Sequence, residues 1–397
     1  MRKLGRGRLM LLVVALVSAL VFAACGDDDE SSGGDGAAGT SADAGQSSAN
    51  KQRAEQAIAA YTGKPSEFPV SEPLEKRPGA ITIAFMDCGT PICGLYRQLS
   101  GGAAKALGAK FTSVKGGASG EAVNAAYSSI VEMKPDGVIS PAIDPVLWQR
   151  QLQQFKDADI PVSISGIVNE AEYGLDQPPN STALGRESTV RGGKLMADWV
   201  YAKYGDEANI QFSWVPELAF SAVTRDAFVA EMKELCSSCE VRPIKIGVAT
   251  LGNRAPQTIV SDLQAHPETN VLVASVSEQF NGLPAAMRTA GIGVAKAGDP
   301  IEAGKTVAVV GTGATPTNLQ YLKDGQQTAD LAVDFPIVNW TLVDSVARAV
   351  VGQDPKPGLP VVQFLTQEDI KFDPSRGWTG YPDFADRFMK LWQGGGS

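Results

Sequence analysis

From Ile81 onward, short runs of β-branched residues alternate with longer runs of helical periodicity, and this alternation strongly constrains the fold. The runs ITIAFM, GVISPA and IPVSISGI are apolar on both faces, as in parallel strands covered by helices on each side. Intervening segments such as GEAVNAAYSSIVEM carry apolar residues at helical spacing. The pattern restarts after about residue 187 and continues for a similar length. The sequence therefore predicts an α/β protein with two doubly wound, Rossmann-like lobes.

Six phrases along this scaffold occur in a family-specific order. They are KPDGVISPAIDP, KDADIPVSIS, RGGKLMADWV, LQAHPETNVLVASV, AAMRTAG and VAVVGTGATPTNLQYLKDG. Over roughly residues 79–370 the chain resembles the type I (sugar-type) periplasmic solute-binding proteins of ABC importers, in their bacterial lipoprotein form. The resemblance implies two lobes joined by three crossings of a hinge, with a small molecule held between them.

The resemblance also divides the chain. Lobe one is predicted to comprise 79–186 plus 335–360, and lobe two 187–334 plus 361–372. The remaining segments are a signal peptide (1–24), a flexible tether (25–50), a lead-in segment (51–78) and a C-terminal extension (373–397). The extension carries five aromatic residues, which predict a helix that packs on a lobe; contact with a partner is the alternative.

The N-terminus reads as a secretory signal. A basic start, MRKLGRGR, is followed by the apolar run LLVVALVSALVFAA, which is too short for a membrane-spanning helix. Cys25 follows Ala23 and Ala24 and resembles the cysteine of a bacterial lipobox, which becomes the lipidated first residue of the mature chain; Phe22 departs from the usual leucine. We expect an extracytoplasmic protein anchored to the cell membrane through lipid on Cys25; an ordinary signal peptide with a chance cysteine is the alternative.

Charge excludes one class of partner. Without the four basic residues of the signal peptide, 31 of the 35 basic residues remain against 44 acidic ones, a net charge near −13. Phosphate binding needs a basic face, so nucleic acid is not an expected partner. The tether is rich in Gly, Ser, Ala and Asp, which favours a flexible segment.

Four further cysteines are present in two short-spaced pairs, Cys88 with Cys93 and Cys236 with Cys239. An even count outside the cytoplasm favours disulfides within each pair. The alternative for CSSC is a redox motif or half of a zinc site. Zinc needs further thiol or imidazole ligands, and the chain has one histidine, His266, so we expect no metal.

The expected cleft departs from the sugar-binding pattern of the family. The family's Asp-Arg pair after the fourth strand aligns with Gly166 and Ile167, its Asn with Val276, and its Asp before the hinge helix with Gly313. The family's Arg aligns near Ala222. A cleft without hydroxyl-binding groups suggests a less hydroxylated solute.

Other polar and aromatic residues remain at the predicted strand ends and form the candidate ligand-binding set. They are Asp87, Tyr96, Ser165, Phe220, Ser277, Glu278, Gln279, Thr312 and Asp334. Three carboxylates in this set favour a cationic or amine-bearing ligand, because a buried carboxylate without a counter-charge is costly.

Each carboxylate also has a structural alternative. Asp87 can cap the loop closed by Cys88, Glu278 the next helix, and Asp334 can bond hinge backbone. Asp144, which precedes Pro145, is predicted only as a helix N-cap.

These features distinguish between three possible classes of function. A binding module that delivers a solute to an ABC permease, as a monomer and without a cofactor, is the first hypothesis. The alternative is a receptor of the same fold that signals to a membrane kinase. An enzyme is not expected, because the chain has no nucleophile elbow and His266 is predicted to lie at a surface helix end, away from the cleft.

Overall fold

The computed structural model of the protein describes residues 38–117 and 119–394. The signal peptide, Cys25 and the first part of the tether lie outside the described residues. Within the described part, no helix combines the length and apolar composition needed to cross a membrane.

The first lobe is built on a five-stranded parallel sheet. Its elements are β1 (Thr82–Asp87), α2 (Pro91–Leu107), β2 (Lys110–Lys115), α3 (Gly120–Met133), β3 (Gly137–Ser140), α4 (Gln149–Asp157), β4 (Val162–Ser165) and β5 (Ser181–Ala183), and the helix before them is α1 (Ala38–Ala59). The strand order is β2-β1-β3-β4-β5. The three-residue strand β5 was not predicted from the sequence because it is too short to show a pattern.

The second lobe is built on a seven-stranded sheet. Its elements are α5 (Arg186–Tyr204), β6 (Ile210–Trp214), α6 (Ala219–Leu235), β7 (Val241–Lys245), α7 (Ala255–Ala265), β8 (Val271–Ala274), α8 (Leu283–Thr289), β9 (Gly293–Val294), β10 (Thr306–Thr312), α9 (Pro316–Lys323), β11 (Ala329–Val333) and β12 (Val362–Leu365). Two further helices, α10 (Phe335–Val350) between β11 and β12 and α11 (Phe384–Leu391) after β12, pack on the first lobe. The order is β12-β11-β10-β8-β6-β7, with β9 beside β10, and β12 is antiparallel to β11.

The chain passes between the lobes three times along these sheets. It leaves β5 for α5, returns from β11 to α10, and leaves α10 for β12. Helix α10 packs on β3, β4 and β5 of the first sheet, whereas β12 pairs within the second sheet. The predicted fold class, two doubly wound α/β lobes joined by a three-crossing hinge, is confirmed.

The inner strands of each sheet are buried on both faces, which explains their uninterrupted apolar runs. In β1, Ile83 and Phe85 face the cluster that contains α2 and α10, whereas Ala84 and Met86 face the cluster of α3 and α4. In the second sheet, successive residues of β8 alternate in the same way between α5 with α6 and α7 with α8. Strands buried on both faces end at loops, where polar groups are accessible.

Helix α1 corrects the predicted tether. It begins at Ala38, so residues 38–50 are helical rather than extended and flexible. Ile58 is buried in the core of the second lobe, Asn50 Nδ2 donates to the Leu235 carbonyl at 2.8 Å, and Arg53 pairs with Glu231 at 2.8 Å. The good helix formers of α1 lie in its second half, KQRAEQAIA, and its stabilising partners come from a distant part of the chain, which the composition of the tether does not reveal.

The part of the lead-in segment that follows α1 packs with the C-terminal extension on the first lobe. Phe68 packs edge-on against Tyr381, with ring centroids 5.2 Å apart, and against Phe388 at 5.3 Å. The Trp392 ring stacks on Trp340 of α10 with a centroid distance of 5.3 Å. Both segments therefore belong to the folded body, and the aromatic tail packs on a lobe as its pattern predicted.

Candidate functional site

A cavity of about 260 Å³ lies between the carboxyl ends of the two sheets. Its walls come from both lobes: Thr90, Tyr96 and Asp144 from the first, Phe220 and Glu278 from the second. The carboxyl ends of parallel strands in α/β sheets are the usual place for a ligand, because loops there present side chains that the sheet does not bury.

The structure brings five of the nine ligand-binding candidates to this cavity. They are Tyr96, Phe220, Ser277, Glu278 and Thr312. The other four, Asp87, Ser165, Gln279 and Asp334, are not among the residues that line it.

Asp87 adopts its structural alternative. Its Oδ1 accepts from the Gly89 backbone N–H at 3.0 Å, and its Oδ2 lies 3.1 Å from Arg97 Nε. This carboxylate closes the loop after β1 and pairs with an arginine on the next helix. Asp87 is a structural residue rather than a lining group of the cavity.

Asp334 likewise serves the hinge. It is fully buried and caps α10, accepting from the Ile337 backbone N–H at 3.0 Å. Its other oxygen accepts from Thr379 Oγ1 at 2.9 Å and the Gly380 backbone N–H at 2.8 Å. Burial raises the pKa of Asp334 to about 7, while these hydrogen bonds act in the opposite direction. Both oxygens are occupied by protein donors, and none comes from the cavity.

Ser165 and Gln279 lie behind the cavity wall. Gln279 is fully buried and its Nε2 donates to Ser275 Oγ at 3.1 Å and to the Ser213 carbonyl at 3.3 Å. The Ser165 hydroxyl is fully buried beside the Tyr96 side chain without a hydrogen bond of normal geometry. Strand-end position alone predicted both residues, but the side chains point into the lobes.

Glu278 connects the two lobes across the cavity. It lies in a short 3-10 helix after β8 and is only 6% exposed. Its Oε1 accepts from the Ile92 backbone N–H, in the first turn of α2, at 2.9 Å. Burial raises the pKa of Glu278, and the hydrogen bond from Ile92 opposes that rise. The carboxylate therefore helps to hold the lobes together while it faces the ligand space.

Aromatic and aliphatic side chains form most of the cavity wall. The Tyr96 and Phe335 rings pack at 5.6 Å between centroids, and Phe220 lies on the opposite lobe. Burial raises the pKa of Tyr96 to about 12, so its phenol is neutral at physiological pH. Aliphatic lining residues are Ile92, Val123, Ile143, Leu147, Leu184, Leu218, Val248, Leu251, Val276, Leu331, Val333 and Val362.

The serine and threonine hydroxyls at the wall are already engaged with the protein. Thr312 Oγ1 donates to the Leu331 carbonyl at 3.2 Å, Thr315 Oγ1 to Asn318 at 2.6 Å, and Ser277 Oγ to Asp330. The same holds for the other lining hydroxyls of this kind, at Thr90, Ser188, Thr189, Thr224 and Ser275. A polyol in this space would find few free donors.

Two lining carboxylates were missed as site residues by the sequence analysis. Asp144 was predicted only as an N-cap, and it does cap the turn through the Val146 backbone N–H at 3.0 Å. Glu217, which is exposed, follows β6. Each lies in the loop that follows a strand, and this position was the sequence signal that could have identified it as a site residue. Among the described residues that line the cavity, the charged side chains are Asp144, Glu217 and Glu278, and none is basic.

The cysteines pair within each short segment. The Cys88 and Cys93 sulfurs are 1.99 Å apart, and this disulfide forms part of the cavity wall. The Cys236 and Cys239 sulfurs are 2.00 Å apart at the end of α6. Asp206 lies close to the second pair, but sulfurs bonded to each other offer no thiolate to a metal ion.

Comparison with known proteins identifies a family and a set of similar folds. The family model described as a periplasmic binding protein domain matches residues 100–354. No curated protein sequence matches the chain.

Three solved structures illustrate the structural similarity. A 5-methylthioribose transporter solute-binding protein from Thermotoga lettingae, in complex with 5-methylthioribose, has a TM-score of 0.64 at 16% identity, covering 81% of this chain and 99% of that one. A solute-binding protein from Burkholderia graminis with D-arabinose has a TM-score of 0.62 at 14% identity, covering 73% and 96%. A periplasmic solute-binding protein from Actinobacillus succinogenes with D-allose has a TM-score of 0.60 at 16% identity, covering 74% and 99%.

Proposed function

Because the chain belongs to the periplasmic binding protein family, we propose that it captures a small molecule between its lobes and delivers it to the permease of an ABC transporter. The observation that carries this proposal is the cavity at the carboxyl ends of both sheets, lined from both lobes and bridged by Glu278. Ligand contacts from both lobes favour the closed arrangement, which gives a permease a way to distinguish loaded from empty protein.

The proposed location is the outer face of the cell membrane, with lipid on Cys25 as the anchor. The basic start, the short apolar run and the small residues before Cys25 support this assignment. No reaction follows binding in this proposal, and the protein acts as a monomer without a cofactor.

The proposed ligand is compact and largely apolar rather than a free pentose or hexose. Gly166, Val276 and Gly313, which align with sugar-binding positions of the family, line the cavity and bring no polar side chain to it. Since the wall hydroxyls already bond to the protein, several sugar hydroxyls would be buried without partners, at about 1–3 kcal/mol each. Among the structural neighbours, one was solved with 5-methylthioribose, a sugar that carries an apolar thioether.

A thermal-shift screen over sugars, polyols, amines, alcohols and aromatic acids tests the proposal. A ligand present at a hundred times its Kd adds about 2.7 kcal/mol to the folded state, which gives a clear rise in Tm. We expect a rise with compact apolar solutes and none with ribose or glucose. A clear rise with either sugar would contradict the proposed ligand class, and no rise with any compound would contradict the binding function.

The alternative function, a receptor that signals to a membrane kinase, uses the same binding step. Uptake of the radiolabelled ligand identified by the screen separates the two, because uptake falls when the protein is deleted only if it feeds a transporter.

A further inference from the structure

The carboxylate of Glu278 is incompletely paired inside the cavity. The side chain is 6% exposed and receives one hydrogen bond, from Ile92 N–H to Oε1 at 2.9 Å. Within the described residues, no protein donor bonds its second oxygen, Oε2. A buried carboxylate is strongly destabilised unless donors or a counter-charge replace its lost water.

Among the described residues that line the cavity, no basic side chain supplies that charge. Arg97 and Arg225 directly follow lining residues in their helices, but both are engaged elsewhere. Arg97 pairs with Asp87 at 3.1 Å, and Arg225 lies 3.9 Å over the Trp214 ring and pairs with Asp226. Asp144 and Glu217 add further negative charge to the cavity wall. The field inside the cleft therefore favours a cation and opposes an anion.

The rest of the cavity wall fits the uncharged part of a cationic ligand. Aromatic faces at Tyr96, Phe220 and Phe335 are compatible with a nearby cation through their negative ring faces. The aliphatic lining favours an apolar body by desolvation. The cavity of about 260 Å³ is slightly below the range of roughly 300–1,000 Å³ that is usual for drug-sized ligands, so the body is compact.

We infer that the cleft selects a compact apolar solute carrying one protonated amine, and that Glu278 is the specificity-determining residue that accepts its N–H. This inference rests on the proposed binding function and names its ligand class. The charge-assisted hydrogen bond forms to Oε2, while Oε1 keeps its bond to Ile92. A solute that bonds Glu278 from within the cleft thereby becomes linked to both lobes.

Matched probe pairs test the charge requirement. Calorimetry compares 2-phenylethylamine with 2-phenylethanol, hexylamine with hexanol, and cyclohexylmethylamine with cyclohexylmethanol, since each pair differs mainly in the charged donor. We expect at least one amine to bind roughly tenfold or more tightly than its alcohol, as for hydrogen bonds to charged groups.

Variants at Glu278 test whether this residue causes the preference for an amine over its alcohol. Glu278→Gln keeps an oxygen for the Ile92 N–H but presents an uncharged amide to the ligand, so the amine preference should disappear. Glu278→Asp keeps the charge and should keep the preference. The matched control is Glu132→Gln, an exposed carboxylate in α3 that does not line the cavity, and we expect it to change the amine preference by no more than about fivefold. The Tm of each ligand-free variant verifies that it is folded.

The possible results distinguish a failure of the amine inference from a failure of the binding function. If an uncharged solute binds while every amine binds no better than its alcohol, the amine inference fails and the binding function stands. An amine preference that survives in Glu278→Gln also overturns the inference. If no probe and no compound of the thermal-shift screen binds, the binding function fails, and the inference fails with it.

Discussion

Three buried carboxylates, Glu278, Asp330 and Asp334, differ in what surrounds their oxygens. Asp334 accepts three protein N–H or O–H groups, and Asp330 accepts from Ser277 and Gln327, whereas Glu278 accepts one and faces the cavity. The number and direction of the hydrogen-bond donors around a buried carboxylate, more than its residue type, decide whether it stabilises the fold or is available to bind a ligand.

At the residue scale, the raised pKa values of Asp330 and Asp334 predict that the free energy of unfolding depends on pH. Burial raises the pKa of each to about 7, above the value of about 3.9 for an unfolded aspartate. Between these values the folded state binds more protons than the unfolded state. Their contribution to stability is therefore complete below about pH 4 and is lost as the pH rises through 7. We expect calorimetry to show a lower Tm at pH 8 than at pH 5.5.

Asp330→Asn should reduce that difference in Tm, since it removes one of the buried groups whose pKa is raised on folding. Asp157→Asn, an exposed change of equal charge, is the control. An undiminished difference in Asp330→Asn would show that Asp330 is not a source of the pH dependence.

At the scale of elements, the eight-residue helix α11 depends on partners outside itself. Helices this short are marginal in isolation. Trp392 stacks on Trp340, and its Nε1 donates to Asp344 Oδ1 at 2.8 Å. Asp344 also forms a fully buried ion pair with Arg348 at 2.7 Å, and Arg348 donates to the carbonyl of Glu72 in the lead-in segment. One network therefore joins α10, α11 and the lead-in segment.

Trp392→Ala should destabilise the protein strongly. The change leaves a cavity beside Trp340 and removes one donor from a buried carboxylate, so we expect a loss of about 3–5 kcal/mol in the free energy of unfolding. Chemical denaturation measures it. Met389→Ala, an exposed residue on the same helix, should stay within about 0.5 kcal/mol. Equal effects of the two changes would contradict the packing role of Trp392.

At the scale of the molecule, two further segments run between the lobes beside the three hinge crossings. The lead-in segment runs from Tyr61, whose carbonyl accepts from Phe364 N–H in the second sheet, to Leu74 in the first-lobe core. The C-terminal extension runs from a turn beside α9 to α11. The two segments touch where a Cβ added at Gly380 would approach Pro65 Cγ to 2.7 Å. We expect this contact to restrain movement of the lobes about the hinge.

Gly380→Val should loosen this contact. The added side chain forces the two segments apart, and we expect a cost of about 1–3 kcal/mol in stability and a larger radius of gyration of the ligand-free protein by small-angle scattering. Gly63→Val is the matched control, because nothing lies within 4 Å of its added Cβ. If Gly380→Val behaved like Gly63→Val, the contact would have no role in holding the lobes.

Local sequence pattern was sufficient to predict the fold. Strand and helix periodicity predicted two doubly wound lobes, because periodicity depends on residues near one another in the chain. The hinge with three crossings was what the family resemblance of six ordered phrases implied. The cleft position followed from topology, and Tyr96, Phe220, Ser277, Glu278 and Thr312 of the candidate set line the cavity there. The prediction of a flexible tether was wrong for residues 38–50, whose helix is held by Leu235 and Glu231.

Tertiary structure decided which strand-end groups are free to meet a ligand. Asp334 is occupied by Thr379 and Gly380, 45 and 46 positions away, and Glu278 meets Ile92 at a separation of 186. Both side chains end in a carboxylate, but whether that carboxylate is free to bind a ligand depends on the hydrogen-bond donors that folding brings from distant segments. The sequence by itself determined the α/β architecture through local periodicity, and only long-range packing determined which acids serve the hinge and which ones line the cleft.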